Sequence, residues 1–253
     1  MAVLNFKTLK ESFDRDGYVF IPGFLSPEEV QILNENVKRF ISEGIPSMSA
    51  GHYFYEDQND ASTLKQMQDL EKYDAYFKTL TVERKYEQLA KALLGEDVIC
   101  KTVEYFNKPP KIGKPTPPHQ DGYYFMIDPP QAVTMWLALE EVVEETGCVK
   151  YIKGSHLKGM RPHGRTATLG FSQGIVDFGT EEDVENEIAF PAQPGDLLVH
   201  HSMTVHRAGA NTTTDRTRKA IGLIYFGVSA REDVEAKKRY MAQLAKERGN
   251  AKA

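Results

Sequence analysis

Apolar residues recur at helical spacing over residues 9–16, and an apolar run over 18–21 predicts a strand directly behind that helix. Ser26-Pro27-Glu28-Glu29 is a capping box with proline in the first helical turn, and it opens an amphipathic helix reaching about residue 40. Residues 46–78 mix aromatic, acidic and amide side chains without a period, which reads as a loop that folds over a substrate. Helical spacing returns over 82–94 and stops at Gly95. The run Ala132-Val133-Thr134-Met135-Trp136-Leu137-Ala138-Leu139 is apolar and β-rich, the mark of a buried strand, and the turn Pro194-Gly195-Asp196 leads into a second one over 197–201. The stretch 158–186, rich in Gly, Thr and acidic residues, is long for a connection and reads as a lid, and 231–248 reads as a charged final helix. The pattern predicts one domain over 1–253. It has a helical N-terminal part over about 1–95, a β-rich core over about 96–230 and a C-terminal helix over about 231–248.

The densest chemistry lies in the core. His119-Gln120-Asp121 is followed by His206 and then by Arg218. In an extended strand His119 and Asp121 project to one face and Gln120 to the other. With His206 as third corner they make a 2-His-1-carboxylate set, which leaves positions open on Fe(II) for a co-substrate and for O2. The segment before His119 carries Pro109-Pro110, Gly113-Lys114 and Pro117-Pro118, a stiff approach with little conformational freedom. His201 competes with His206 for the third corner but falls within a strand body; it is expected to pack near the site, with His200 on the opposite face. Arg216 and Arg218 share one strand face, so each is a possible anion clamp. A guanidinium suits that role because its planar fork meets a carboxylate in two charge-assisted hydrogen bonds.

Four stretches resemble the phytanoyl-CoA dioxygenase family of Fe(II)/2-oxoglutarate oxygenases, in order and spacing as well as in wording. They are residues 107–124 (NKPPKIGKPTPPHQDGYY), 136–156 (WLALEEVVEETGCVKYIKGSH), 194–211 (PGDLLVHHSMTVHRAGAN) and 218–221 (RKAI). The resemblance implies a mainly β fold with α additions, a double-stranded β-helix (jelly roll) with helices packed on one sheet. It implies His119, Asp121 and His206 as catalytic iron ligands and Arg218 as the clamp for the distal carboxylate of 2-oxoglutarate. Trp136 is similar to the family's tryptophan beside the co-substrate, and Lys65 resembles a lysine that some members supply from the N-terminal half. Gln120 and Thr134 complete the expected cofactor-binding set. The family often has a serine two residues after the distal histidine, where this chain has Ala208; Thr134, Tyr123 or a water is expected to replace that hydroxyl. Because Asp121 leaves no vacancy for chloride, oxygen insertion is implied rather than halogenation.

On that resemblance the expected reaction is hydroxylation of an unactivated C–H of a small metabolite, with 2-oxoglutarate decarboxylated to succinate and CO2. An acyl-CoA 2-hydroxylase is the alternative. A non-catalytic metal-binding jelly roll and a cupin-type enzyme are rival readings, the first opposed by Arg218 and the second by the lack of closely spaced strand histidines. Candidate substrate contacts are Glu104, Tyr123, Tyr124, Arg161 and His163. A Glu104 carboxylate facing the pocket selects a cationic or hydroxyl-rich substrate, whereas on an edge strand it faces solvent. Lys158, Arg161 and Arg165 in the lid suit a phosphate or CoA group equally well. His52 and His156 are placed near the rim or in a turn.

Composition narrows the partners. A net charge of −5 without a basic run excludes a nucleic-acid binder, and no stretch has the length and hydropathy of a membrane span. Cys100 and Cys148 read as isolated reduced thiols, and neither terminus shows a signal peptide or peroxisomal address, so a cytoplasmic monomer or homodimer is expected.

Overall fold

A computed structural model describes residues 4–168, 171–240 and 242. Its core is two antiparallel sheets. The larger has seven strands in the order Tyr18–Ile21, Leu197–His201, Ala132–Ala138, Ala220–Gly227, Val98–Phe106, Leu64–Met67 and Tyr53–Tyr55. The smaller has four, Glu187–Phe190, Val149–Ile152, His206–Ala208 and Thr116–His119. This is the expected jelly roll, although helix is as abundant as strand.

Strand alternation explains how one sheet serves two layers. Val133, Met135 and Leu137 point to a helical layer and join its core with Leu33, Phe40, Leu89 and Leu93. Trp136 and Ala138 point the other way and pack with Val149 and Tyr151 of the smaller sheet. Three helices carry most of the first layer: Phe6–Asp16, Pro27–Glu43 and Arg84–Leu94. The first is closed by Gly17 in the left-handed conformation, with φ 84°. Ser26 and Glu29 form the reciprocal capping box read from the sequence.

Residues 46–78 are not a loop. They contain Tyr53–Tyr55 and Leu64–Met67, which extend the larger sheet beyond Val98–Phe106, and the short helices Leu70–Tyr73 and Ala75–Leu80. Their period was hidden because Lys65 and Gln66 are polar yet buried. The 158–186 connection likewise holds a hairpin, His163–Thr168 with Phe171–Ile175, and the helix Glu181–Asn186. At the C-terminal end Arg231–Glu232 is a strand and 234–240 is helical, while 243–248 lies outside the described residues.

Candidate active site

His119 ends its strand and faces His206 directly across the antiparallel pair, so the two imidazoles share a face with ring centroids 4.1 Å apart. Asp121 reaches them by a different route from the one alternation predicts. The strand stops at His119, and Asp121 takes helical dihedrals (φ −58°, ψ −34°) at the head of the short helix Gly122–Phe125. That turn, not a pleat, swings its carboxylate under the histidines. Asp121 Oδ1 lies 3.4 Å from His119 Nε2 and 3.6 Å from His206 Nε2, and one ligand atom from each of the three residues falls within 4.8 Å of the others.

Each group is prepared for a metal. His119 Nδ1 lies 2.8 Å from the Pro117 carbonyl and His206 Nδ1 3.0 Å from the Thr204 carbonyl. A carbonyl only accepts, so both Nδ1 atoms carry hydrogen and both Nε2 atoms keep a lone pair. Burial pushes the His206 imidazole well below its ordinary pKa, which keeps it neutral. Burial alone would raise the Asp121 carboxyl, but the neighbouring imidazoles of His206, His119 and His200 outweigh it and hold it well below the ordinary carboxylate range. Its outer oxygen, Oδ2, accepts from Thr134 Oγ1 at 2.5 Å and from His200 Nε2 at 3.0 Å. Tyr151 Oη lies 2.9 Å from His200 Nδ1, so His200 is fixed at both nitrogens. These contacts leave Oδ1 free to face a metal between the two imidazoles. The chemistry of the set, two neutral imidazoles and one carboxylate, fits Fe(II).

A cavity of about 210 Å3 opens on this triad. Arg218 lines it, 4% exposed, with its guanidinium carbon 5.3 Å from the Trp136 ring. Burial lowers the Arg218 pKa to about 10, which still leaves it charged at neutral pH. Among the described residues its Nε has no partner, so a buried donor on the cavity wall is left for an anion. Lys65 and Lys108 line the cavity too, both held below the ordinary lysine range by burial first and then by neighbouring positive charge that includes Arg218. Lys65 Nζ sits 3.0 Å from Glu56 Oε1 as an ion pair but without hydrogen-bond geometry. This positive arm fits the distal carboxylate of a dicarboxylic co-substrate.

Other expected contacts are placed differently. Gln120 is fully buried away from the cavity, donating to the carbonyls of Gly159 and Met203 and accepting from Arg161 N at 2.8 Å; it ties loops together rather than holding a cofactor. Thr134 lines the cavity, but its hydroxyl is committed to Asp121. Tyr124 lines it and donates to the Gln173 carbonyl, whereas Tyr123 stacks on His163 outside it, with centroids 4.3 Å apart. His163 accepts from Gln120 N and buttresses the turn behind His119. Arg161 is also outside the cavity, its guanidinium bound to Asp177 and Asp183, and Lys158 pairs with Glu182. Arg216 pairs with Glu141 at the surface. His200 and His201 exchange their expected places: His200 faces Asp121, and His201 turns to Phe13 and His156 under the first helix.

The residues missed from the sequence are His200, Lys108, Gln66, Gln68 and Thr116. Thr116 stands directly across from Ala208 and lines the cavity, so the hydroxyl absent at Ala208 is present one strand away. Lys108 Nζ donates to Thr116 Oγ1 at 3.3 Å.

Comparison with known proteins agrees with this geometry. The model of the phytanoyl-CoA dioxygenase (PhyH) family matches residues 13–220. The phytanoyl-CoA dioxygenase domain-containing protein 1 of Danio rerio is 29% identical over 247 residues, spanning 80% of this chain and 84% of the relative. The 1-deoxypentalenic acid 11-beta-hydroxylase of Streptomyces arenae is 27% identical over 230 residues, spanning 83% and 76%. The crystal structure of the epimerase SnoN in complex with Fe3+, alpha ketoglutarate and nogalamycin RO superposes with a TM-score of 0.70 at 26% identity, covering 90% of this chain and 85% of that one. The chain belongs to the phytanoyl-CoA dioxygenase family of iron- and 2-oxoglutarate-dependent dioxygenases.

Proposed function

We propose that this dioxygenase hydroxylates an unactivated C–H bond of a small molecule, converting substrate, O2 and 2-oxoglutarate to the alcohol, succinate and CO2. The observation that carries the reading is the convergence, in one cavity, of the His119–Asp121–His206 triad with a buried arginine whose Nε has no partner among the described residues. Bound Fe(II) would supply the dioxygen chemistry at the triad. The chain contributes the rest. Thr134 and His200 hold one Asp121 oxygen so that the other faces the metal position. Arg218, Lys65 and Thr116 orient the distal carboxylate of 2-oxoglutarate, and Trp136 covers it. Phe125, Val149 and Ile224 supply apolar wall that keeps bulk water from the reacting centre. The hydroxylase among the relatives supports hydroxylation as the outcome.

Gln66, Gln68 and Glu104 put amide and carboxyl groups on the cavity wall, which favours a polar metabolite over a fatty acyl chain. Arg161 and Lys158 are already paired with acids, which weakens the reading of a CoA or phosphate grip in the lid. The test is anaerobic titration with Fe(II) and 2-oxoglutarate, followed by the visible charge-transfer band, in wild type and in Asp121→Ala and Arg218→Ala. The expected result is a band in wild type, its loss in Asp121→Ala and a much larger 2-oxoglutarate requirement in Arg218→Ala. A wild-type protein that gives no band would refute the assignment.

A further inference from the structure

We propose that Glu104 and Gln66 form a cation subsite in the cavity, one that holds a protonated amine of the substrate. The inference rests on the reading of this cavity as the substrate chamber, and it names the chemical class that the chamber takes.

Strand register builds the subsite. Glu104 lies across Gly222 from Trp136, in one row of the larger sheet, and Gln66 pairs with Phe106, two residues further along the Glu104 strand. Glu104, Gln66, Phe106 and Trp136 all line the cavity. Gln66 is 3% exposed; its Nε2 donates to Glu104 Oε2 at 3.1 Å, and its Oε1 is buried with no partner among the described residues. One of the amide's two N–H groups is therefore committed inside the pair. Once Glu104 gives up its proton, what the pair presents to the cavity is the unpartnered amide oxygen and a carboxylate. Only a ligand rich in N–H or O–H satisfies such a wall.

Charge selects the ammonium over the neutral alcohol. The charged groups acting most strongly on Glu104 are carboxylates, Asp121, Asp69 and Glu71, and each has other partners: Asp121 the triad and Thr134, Asp69 His52 and Lys72, Glu71 the Val103 amide. Burial first, and then those carboxylates, push its pKa to about 8. The cavity's own cations gather instead around the co-substrate arm, where Lys65, Lys108 and Arg218 act on one another. The two arms thus sort the ligands: a dicarboxylate is favoured beside Arg218 and disfavoured beside Glu104, and an amine the reverse. Phe106, Phe125 and Ile224 leave apolar surface for the carbon body between them.

Three probes of equal length decide it: hexylamine, 1-hexanol and hexanoate, titrated calorimetrically into the anaerobic Fe(II)·2-oxoglutarate protein. Hexylamine is expected to bind at least about tenfold more tightly than the other two, and Glu104→Gln and Gln66→Leu to erase that preference. Below pH about 8 its binding releases a proton from Glu104, so affinity rises between about pH 6 and 8. Equal binding of the three probes by wild type overturns the proposal, whatever the variants do, as does a preference that survives both substitutions. Succinate release is measured on the same preparations. Succinate without an amine preference removes the subsite and leaves the oxygenase; an amine preference without 2-oxoglutarate binding or succinate removes the oxygenase reading and leaves the subsite.

Discussion

Replacing Thr134 with valine removes one hydroxyl at nearly constant volume, and the structure says what that hydroxyl holds. Thr134 Oγ1 and His200 Nε2 are the two donors to Asp121 Oδ2, at 2.5 Å and 3.0 Å. A hydrogen bond to a charged group contributes about 1.5–3 kcal/mol, and more is at stake when the acceptor is a buried carboxylate. At about 1.4 kcal/mol per tenfold, losing one of the two donors predicts metal binding weaker by about 10- to 100-fold. The same range is typical when an outer partner of a metal ligand is removed, about 10–100-fold in affinity. Thr134→Ser keeps the donor and is expected to bind within about threefold of wild type, because it loses only a methyl group. The assay is anaerobic Fe(II) titration against a competing chelator, with thermal melts to show that each variant folds. Thr134→Val binding iron as tightly as wild type, with an unchanged melt, would mean that this contact does not orient the carboxylate.

Thr116→Val is expected to raise the Kd for 2-oxoglutarate by about five- to tenfold, the cost of one hydrogen bond, and to leave Fe(II) affinity unchanged; equal 2-oxoglutarate binding would return the missing hydroxyl to another group. Gln120→Leu leaves the carbonyls of Gly159 and Met203 and the Arg161 amide without their partner, and a denaturation series should register a loss of about 2–4 kcal/mol. The raised folded-state pKa of Glu104, about 8 against an ordinary value near 4.3 unfolded, means that the folded state holds the proton more tightly. Its stabilising contribution is complete below about pH 4.3 and is lost as pH rises toward about 8. Melting of the ligand-free protein from pH 5 to 8 should therefore fall more steeply in wild type than in Glu104→Gln, and parallel curves would contradict the assignment.

Much of the site was legible because its parts are carried by local wording. The stiff proline-rich approach, the His119-Gln120-Asp121 tripeptide, the turn before residues 197–201 and the Arg218-Lys219-Ala220-Ile221 run each sit in one short segment, and short segments can be read alone. The first two helices were legible for the same reason, since a capping box and an apolar stripe are local. Where a feature depended on which face of a strand meets the cavity, the reading failed. Adjacent His200 and His201 are equivalent in sequence, and only the pairing of His200 with Thr134 sends the first to Asp121 and the second under the helix.

The candidate triad, the candidate arginine, the helical caps and the strand-rich core could be read from the chain alone, because these follow from residue chemistry and short-range periodicity. The tertiary structure decided the remainder. It made Leu64–Met67 a sheet strand although Lys65 and Gln66 break the apolar pattern, since a cavity wall rewards polar side chains where a core would not. It set Thr116 opposite Ala208, and it tied Arg161 to Asp177 and Asp183 within the 158–186 connection. Alternation assigns each strand two faces, but the register between strands tens of residues apart chooses which face looks into the chamber, and that choice is made by packing across the whole fold.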